Sequence, residues 1–142
     1  MMKHNDWLYQ GASQEIVDSI PAGMAIITLN ENNERYFPPT GRDHPYLWAF
    51  TNDPGEQLDL PKLEAIEQFA RTFKSRGVFV HCMAGSNRSS IICAYLLHKI
   101  DGMSPADALT CVLAHNDHVA IRPEISDKLE QLTGVSIRCW DR

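Results

Sequence analysis

Short apolar runs and stretches with helical spacing alternate along the first half of the chain. Runs of this length are typical of buried strands. Between the last two runs, apolar residues recur at helical spacing after Asp59, with Pro61 in the first turn, which predicts a helix that Gly77 ends. Strands that alternate with helices indicate an α/β fold. The apolar runs lie at residues 7–9, 24–29, 46–50 and 78–81.

The second half of the chain is predicted to be helical and to cover one face of the sheet. One helix runs from Arg88 to Lys99. The next begins at Ser104-Pro105-Ala106-Asp107, because a capping Ser, a Pro at the first position and a nearby acid are start signals. The last helix runs from Pro123 through Leu132, and Gly134 ends it.

Size and charge limit the possible functions. The 142 residues predict a single domain spanning residues 1–142, with a hydrophobic core of its own. The net charge of −5 argues against nucleic acid or an anionic membrane as a partner. No apolar run approaches the length of a membrane span. The first residues carry no apolar stretch after Lys3 of the kind found in a secretory signal, so we expect a cytoplasmic protein. The sequence leaves the oligomeric state open.

The remaining candidate ligands for a metal do not form a set. The segment from His115 to His118 offers a pair of possible ligands but no third or fourth one, so it is interpreted as solvated polar residues at a helix end. The cysteines show no paired metal-ligand spacing, and we therefore expect neither a metal nor a cofactor. We interpret Cys93 and Cys111 as core residues. Packing is also the interpretation for Trp7, Trp48 and Trp140.

The residues from His81 to Ser90 are the candidate catalytic segment of the chain. They place Cys82 at the end of an apolar run and Arg88 six residues later, at the start of a helix-like stretch. A loop that leads into a helix N-terminus binds anions, because its N–H groups converge and the helix dipole favours negative charge. The same field favours the thiolate form of Cys82. A thiolate beside a phosphate cradle predicts phosphoryl transfer through a phosphocysteine.

Each side chain of this segment has a predicted role. Cys82 is the nucleophile, and Arg88 clamps two phosphate oxygens bidentately. Ser89 donates a hydrogen bond to the thiolate and eases its departure. His81 orients the loop, with no role in proton transfer, and Gly85 permits the close approach of the backbone. The predicted phosphate-binding loop consists of His81, Met83, Ala84, Gly85, Ser86 and Asn87.

The segment from His81 to Ser89 resembles the cysteine-based protein tyrosine phosphatases, and within them the small dual-specificity group, whose loop usually reads H-C-x-A-G-x-S-R-S. Leu8-Tyr9-Gln10-Gly11 is similar to the L-Y-L-G opening of that group, and the segments 103–109 and 121–132 resemble its later motifs. The resemblance implies a central, mostly parallel sheet of four or five strands flanked by helices. It also implies a metal-independent hydrolase of phosphomonoesters.

A general acid must protonate the leaving oxygen. Asp53 is the candidate, because it lies 29 positions before Cys82, close to the separation of about thirty residues in the family that the loop resembles. Asp59 and Glu56 are the alternatives, and Asp59 is also a candidate helix cap. Asn52 is expected to help shape this loop.

The family resemblance implies a protein substrate, with phosphotyrosine as the favoured ester and phosphoserine or phosphothreonine as further candidates. Met83, Ala84, Ser86 and Asn87 are not basic, which disfavours inositol phospholipids. Asn87 stands where the family pattern usually has Ser, and RNA 5′-triphosphatases of the same family also carry Asn there. The net negative charge of this chain, however, fits a polyanionic RNA end poorly. Two further alternatives are a catalytically weak phosphoprotein-binding module and a sulfur transferase of the rhodanese type, which also uses a Cys loop.

Overall fold

The computed structural model describes most of the chain. The described residues are 1–12, 20–30, 44–51, 57–82, 88–115 and 121–138.

Five strands form one sheet in the order β1-β2-β5-β3-β4. The pairs β2–β5, β5–β3 and β3–β4 are parallel, and the short edge strand β1 is antiparallel to β2. The strands are β1 (Met2–Lys3), β2 (Leu8–Ala12), β3 (Ala25–Thr28), β4 (Tyr46–Trp48) and β5 (Val78–Cys82).

Four helices accompany this sheet within the described residues, and two of them, α1 (Leu60–Phe73) and α2 (Arg88–Asp101), pack directly against its strands. The central one, α2, packs against β5, β2 and the other three helices. The predicted class, an α/β fold with a mostly parallel sheet flanked by helices, is therefore confirmed. The helices are α1 (Leu60–Phe73), α2 (Arg88–Asp101), α3 (Pro105–His115) and α4 (Pro123–Thr133), and a 3₁₀ turn (Lys74–Arg76) follows α1.

Strand β5 is the centre of the molecule. All five of its residues are buried, and it reads Val-Phe-Val-His-Cys, with the β-branched and aromatic residues that suit a strand covered on both faces. Gly77 precedes it at φ 84° and ψ 142°, a backbone conformation that is essentially restricted to glycine. The chain can therefore turn from the 3₁₀ turn directly into the strand.

The helix boundaries follow the start and stop signals of the sequence. The Asp59 side chain accepts a hydrogen bond of 2.8 Å from the Lys62 backbone N–H and caps α1. The Ser104 hydroxyl accepts one of 3.1 Å from the Asp107 N–H and caps α3. Gly134 ends α4 in the left-handed conformation. These local signals act within a single turn of the chain, so the sequence alone predicts them.

Several sequence expectations need correction. Strand β1 was not predicted, β4 ends at Trp48 instead of Phe50, and α2 continues to Asp101. Trp7 is buried in the core as expected, whereas Trp48 on the edge strand is 48% exposed, and its indole N–H donates to the Asn30 carbonyl. Trp140 lies outside the described residues. No helix of the described part of the chain is long and apolar enough to cross a bilayer.

Candidate active site

Cys82 lies at the carboxyl edge of the sheet, where parallel strands end together. The backbone N–H of Leu29, just beyond β3, donates to the His81 carbonyl at 3.0 Å. The N–H of Thr51, beyond β4, donates in turn to the Leu29 carbonyl at 3.1 Å. Three successive chain segments are thus fixed side by side at the edge from which Cys82 emerges. In open α/β sheets, this edge is where ligands bind.

The thiol of Cys82 contacts the first turn of α2. Its Sγ lies 3.3 Å from the Ser89 Oγ, and both residues are almost completely buried. A thiolate carries no hydrogen, so in that form the serine hydroxyl is the donor of this pair. The structure therefore brings together two of the residues that the sequence assigns to the reaction, and their roles in it stay predictions.

Arg88, the first residue of α2, is anchored to the same edge. Its Nη1 donates to the Thr51 carbonyl at 3.1 Å and to the Leu29 carbonyl at 3.4 Å. A guanidinium carries five N–H donors in a planar fork, and these two contacts involve only Nη1. Nη2 and Nε take no part in these two contacts, and donors of this kind suit the oxygens of a tetrahedral anion.

His81 is a buried histidine that is held neutral. Burial is the largest cause that lowers its pKa, to about 4, and the positive charge of Arg88 acts in the same direction. A hydrogen bond with the Cys82 backbone opposes these effects, and the ring stacks on Phe79 at 5.7 Å between centroids. A ring that stays neutral near neutral pH and contacts the Cys82 backbone can hold the strand end, and the loop-orienting role of His81 stays a prediction.

Asp59, the alternative general acid, is an exposed residue whose carboxylate caps α1. The cap accounts for this acid without a catalytic role. Asp53, together with Asn52 and Glu56, lies outside the described residues, so its role stays a prediction. Thr51, which accepts from Arg88, is two residues before Asp53.

The loop between Cys82 and Arg88 also lies outside the described residues. The predicted phosphate contacts of Met83, Ala84, Gly85, Ser86 and Asn87 therefore stay predictions. What the structure describes are the two ends of this loop, a buried strand that ends at Cys82 and a helix that begins at Arg88. The strand and the helix agree with the two ends of the arrangement predicted from the sequence, and the loop between them stays a prediction.

The other described cysteines differ from Cys82 in their surroundings. Cys93 is fully buried inside α2, and burial raises the pKa of its thiol well above the usual value. Cys111 is half-buried, and burial also raises the pKa of its thiol. Cys93 is a core residue as predicted, whereas Cys111 only packs against the core. Within the described ranges, no three His, Cys, Asp or Glu side chains are grouped to hold a metal.

Sequence reasoning missed two polar residues behind the site. Gln10 on β2 is fully buried and donates from its amide to both Ser89 Oγ, at 2.9 Å, and Ser90 Oγ, at 2.8 Å. His4 donates from Nε2 to the Gln10 Oε1 at 2.6 Å. The sequence signal that could have revealed Gln10 is its polar side chain at a position where the L-Y-L-G pattern has Leu.

Comparisons with known proteins give a consistent picture. No family model matches the chain. The rat protein named phosphatidylglycerophosphatase and protein-tyrosine phosphatase 1 is 26% identical over 148 residues, which cover 90% of this chain and 77% of the rat protein.

Three solved structures share the fold over almost the whole chain. The human tyrosine phosphatase-like serine/threonine/tyrosine-interacting protein matches with a TM-score of 0.78 at 20% identity, over 92% of this chain and 93% of the other. Human DUSP28 matches with a TM-score of 0.76 at 18% identity, over 94% and 96%. PTPMT1 in complex with PI(5)P matches with a TM-score of 0.70 at 23% identity, over 92% of both chains.

The fold is that of the cysteine-based protein tyrosine phosphatases. Among proteins with this fold, the chain is similar to the small dual-specificity group, so the resemblance seen in the sequence is confirmed. The relatives and neighbours with assigned activities are protein and lipid phosphatases.

We expect the buried histidine to make stability depend on pH. His81 has a pKa of about 4 in the folded protein, below its ordinary value of 6.5, so only the unfolded chain binds a proton between these values. The contribution of the neutral His81 to the free energy of unfolding is fully present above pH 6.5 and is lost as the pH falls toward 4. Between these values, the free energy of unfolding falls by up to about 1.4 kcal/mol per pH unit. Urea unfolding of wild type and His81→Gln at several pH values measures the slope. An equal slope in both proteins would contradict the assignment.

Proposed function

We propose that the chain hydrolyses phosphomonoesters through a covalent phosphocysteine intermediate. The observation that carries this proposal is the contact of 3.3 Å between Cys82 Sγ at the strand end and Ser89 Oγ, the residue directly after the anchored Arg88. The arrangement supplies a sulfur nucleophile, a donor to that sulfur and a cation for the phosphate. These are the groups that nucleophilic phosphoryl transfer needs.

The reaction has two steps. The Cys82 thiolate attacks phosphorus, the bond from phosphorus to the ester oxygen breaks, and Asp53 gives its proton to the leaving oxygen. Water then attacks the phosphocysteine and gives a proton to the Asp53 carboxylate, the bond from phosphorus to sulfur breaks, and its electron pair returns to Cys82. The Ser89 hydroxyl stabilises this returning thiolate by its hydrogen bond. Arg88 holds the phosphate oxygens throughout, and the reaction uses no metal or cofactor.

The first substrate candidate is a phosphorylated protein in the cytoplasm, with phosphotyrosine as the main ester and phosphoserine or phosphothreonine as further ones. The similarity to the small dual-specificity group supports this choice. A net charge of −5 favours a protein partner over nucleic acid.

The second candidate is a phosphorylated glycerolipid. The rat relative carries phosphatidylglycerophosphatase in its name, and one structural neighbour was solved with PI(5)P. These two observations weigh against the sequence argument that a loop without basic residues disfavours lipid phosphates. A lipid headgroup presents the same phosphomonoester dianion, so the proposed chemistry at Cys82 is the same for both.

The nucleophile is tested by Cys82→Ser. A serine hydroxyl is a far weaker nucleophile at neutral pH, so turnover of p-nitrophenyl phosphate should fall roughly 10⁴-fold or more, while vanadate still binds. The wild-type rate should be unchanged by EDTA. Full activity of the variant would overturn the phosphocysteine mechanism. A wild-type protein that binds phosphopeptides without turnover would instead be a phosphoprotein-binding module.

The general acid is tested by a matched pair of variants. Asp53→Asn should lower kcat by about 10²–10⁴-fold for a tyrosyl or alkyl ester and flatten the basic limb of the pH profile. Asp59→Asn keeps an efficient helix cap, so it should change neither stability nor rate. Loss of the basic limb in Asp59→Asn, with an unchanged profile in Asp53→Asn, would assign the acid to Asp59.

The two substrate classes are separated by initial rates on matched phosphate esters. Phosphotyrosyl, phosphoseryl and phosphothreonyl peptides are compared with phosphatidylglycerophosphate and PI(5)P in detergent micelles. We expect kcat/KM to be highest for the phosphotyrosyl peptide. The background rate measured with the Cys82→Ser protein is subtracted from each rate. A higher kcat/KM on either lipid would make the glycerolipid the substrate class.

A further inference from the structure

A chain of hydrogen bonds, buried from His4 onward, links α3 to the sulfur of Cys82. It runs from His4, beside His115 of α3, through Gln10 on β2 to Ser89 on α2. The last contact is the 3.3 Å between Ser89 Oγ and Cys82 Sγ. His4, Gln10 and Ser89 are each at most 4% exposed, so bulk water does not compete for these bonds.

The bond from His4 fixes which way the Gln10 amide points. The Oε1 of Gln10 accepts from His4 Nε2 at 2.6 Å, because a carbonyl oxygen can only accept. The amide nitrogen must then face the other way, and its two hydrogens go to Ser89 and Ser90 at 2.9 and 2.8 Å. Each end of the amide therefore has a partner of the matching type.

The amide direction decides where the Ser89 hydrogen goes. The Ser89 oxygen already accepts from Gln10, and its single hydrogen is left for another acceptor. The Cys82 thiolate, 3.3 Å away, is that acceptor. If the amide were reversed, its carbonyl would accept the Ser89 hydrogen and draw it away from the sulfur.

The surroundings of His4 keep its hydrogen on Nε2. Burial lowers the pKa of His4, and the nearby His115 acts in the same direction, so the ring is neutral and carries one hydrogen. The Nδ1 of His4 lies 3.4 Å from the Nδ1 of His115, which itself donates to the Cys111 carbonyl at 2.8 Å. A hydrogen on His4 Nδ1 would face that other N–H, whereas a hydrogen on Nε2 meets the Gln10 carbonyl.

We infer that Gln10 and His4 are positioning residues that direct the Ser89 hydroxyl at Cys82 and so assist departure of the thiolate from the phosphoenzyme. The kinetic part of this inference rests on the proposed function. The part that concerns the sulfur does not, because a directed hydroxyl stabilises the thiolate in the free protein as well.

The kinetic test uses Gln10→Leu, which places the residue of the L-Y-L-G pattern on β2. Loss of a positioned hydrogen bond should lower kcat about 3- to 10-fold through slower phosphocysteine breakdown. The KM should fall with kcat, kcat/KM should change less, and a burst of p-nitrophenol should appear. Ser90→Ala is the matched control, since it removes the other acceptor of the same amide and should show no burst. Thermal unfolding checks that each variant is folded.

A merely structural role for Gln10 gives a different result. Gln10→Leu and Ser90→Ala would then lower kcat and kcat/KM together, without a burst, and the inference would be overturned. Additivity is a second criterion. Adding Gln10→Leu to Ser89→Ala should cause no further loss of kcat, because both changes remove the same donated hydrogen. A further loss equal to that of the single variant would also overturn the inference.

A measurement without turnover separates this inference from the proposed function. The rate of iodoacetamide alkylation at Cys82, followed by peptide mass spectrometry, reports the thiolate fraction as a function of pH. Its midpoint should move to higher pH in Gln10→Leu and Ser89→Ala but stay in place in Ser90→Ala. An unmoved midpoint in Gln10→Leu overturns the inference. A moved midpoint in a protein without phosphatase activity supports the inference while the proposed function fails.

Discussion

The parallel pairing of β5 between β2 and β3 is the constraint on which the rest of the site depends. Parallel strands end at the same edge of a sheet, so one pairing pattern fixes Ala12, Thr28 and Cys82 near one another. The strand is buried along its whole length, and a shift of one residue would turn every side chain to the opposite face. The position of the sulfur is therefore determined by the packing of the core and does not depend on the loop alone.

Helix α2 provides the second half of the site at the same edge. Its residues from Ser89 to Leu97 are all buried, so the helix is held by neighbours on every side. Such a helix cannot shift its first turn without disturbing the core, because protein interiors are close-packed. Arg88 and Ser89 consequently keep a fixed relation to Cys82, which is the preorganisation that electrostatic catalysis requires.

The sequence predicts the local parts of this arrangement and misses the distant ones. The run before Cys82, the stretch after Arg88 and the caps at Asp59 and Ser104 depend on neighbours in the chain, and the structure agrees with them. Strand β1 is only two residues long and has no periodicity to detect. The exposure of Trp48 follows from the edge position of β4, which depends on strand order and not on the residues around it.

Gln10 shows the same limit at the site. A polar residue in a short strand normally indicates the solvated face, yet Gln10 is fully buried. Its partners Ser89 and Ser90 are 79 and 80 positions away, so the sequence around Gln10 gives no sign of them. A buried amide costs free energy unless both of its ends are hydrogen-bonded, and an apolar side chain in its place would avoid that cost. His4 and the two serines satisfy the amide, so the core tolerates it. Where a structure departs from the local rules of sequence, as with this buried and hydrogen-bonded amide, the position is expected to serve function. Here the hydrogen bonds of the amide lead to the sulfur of Cys82.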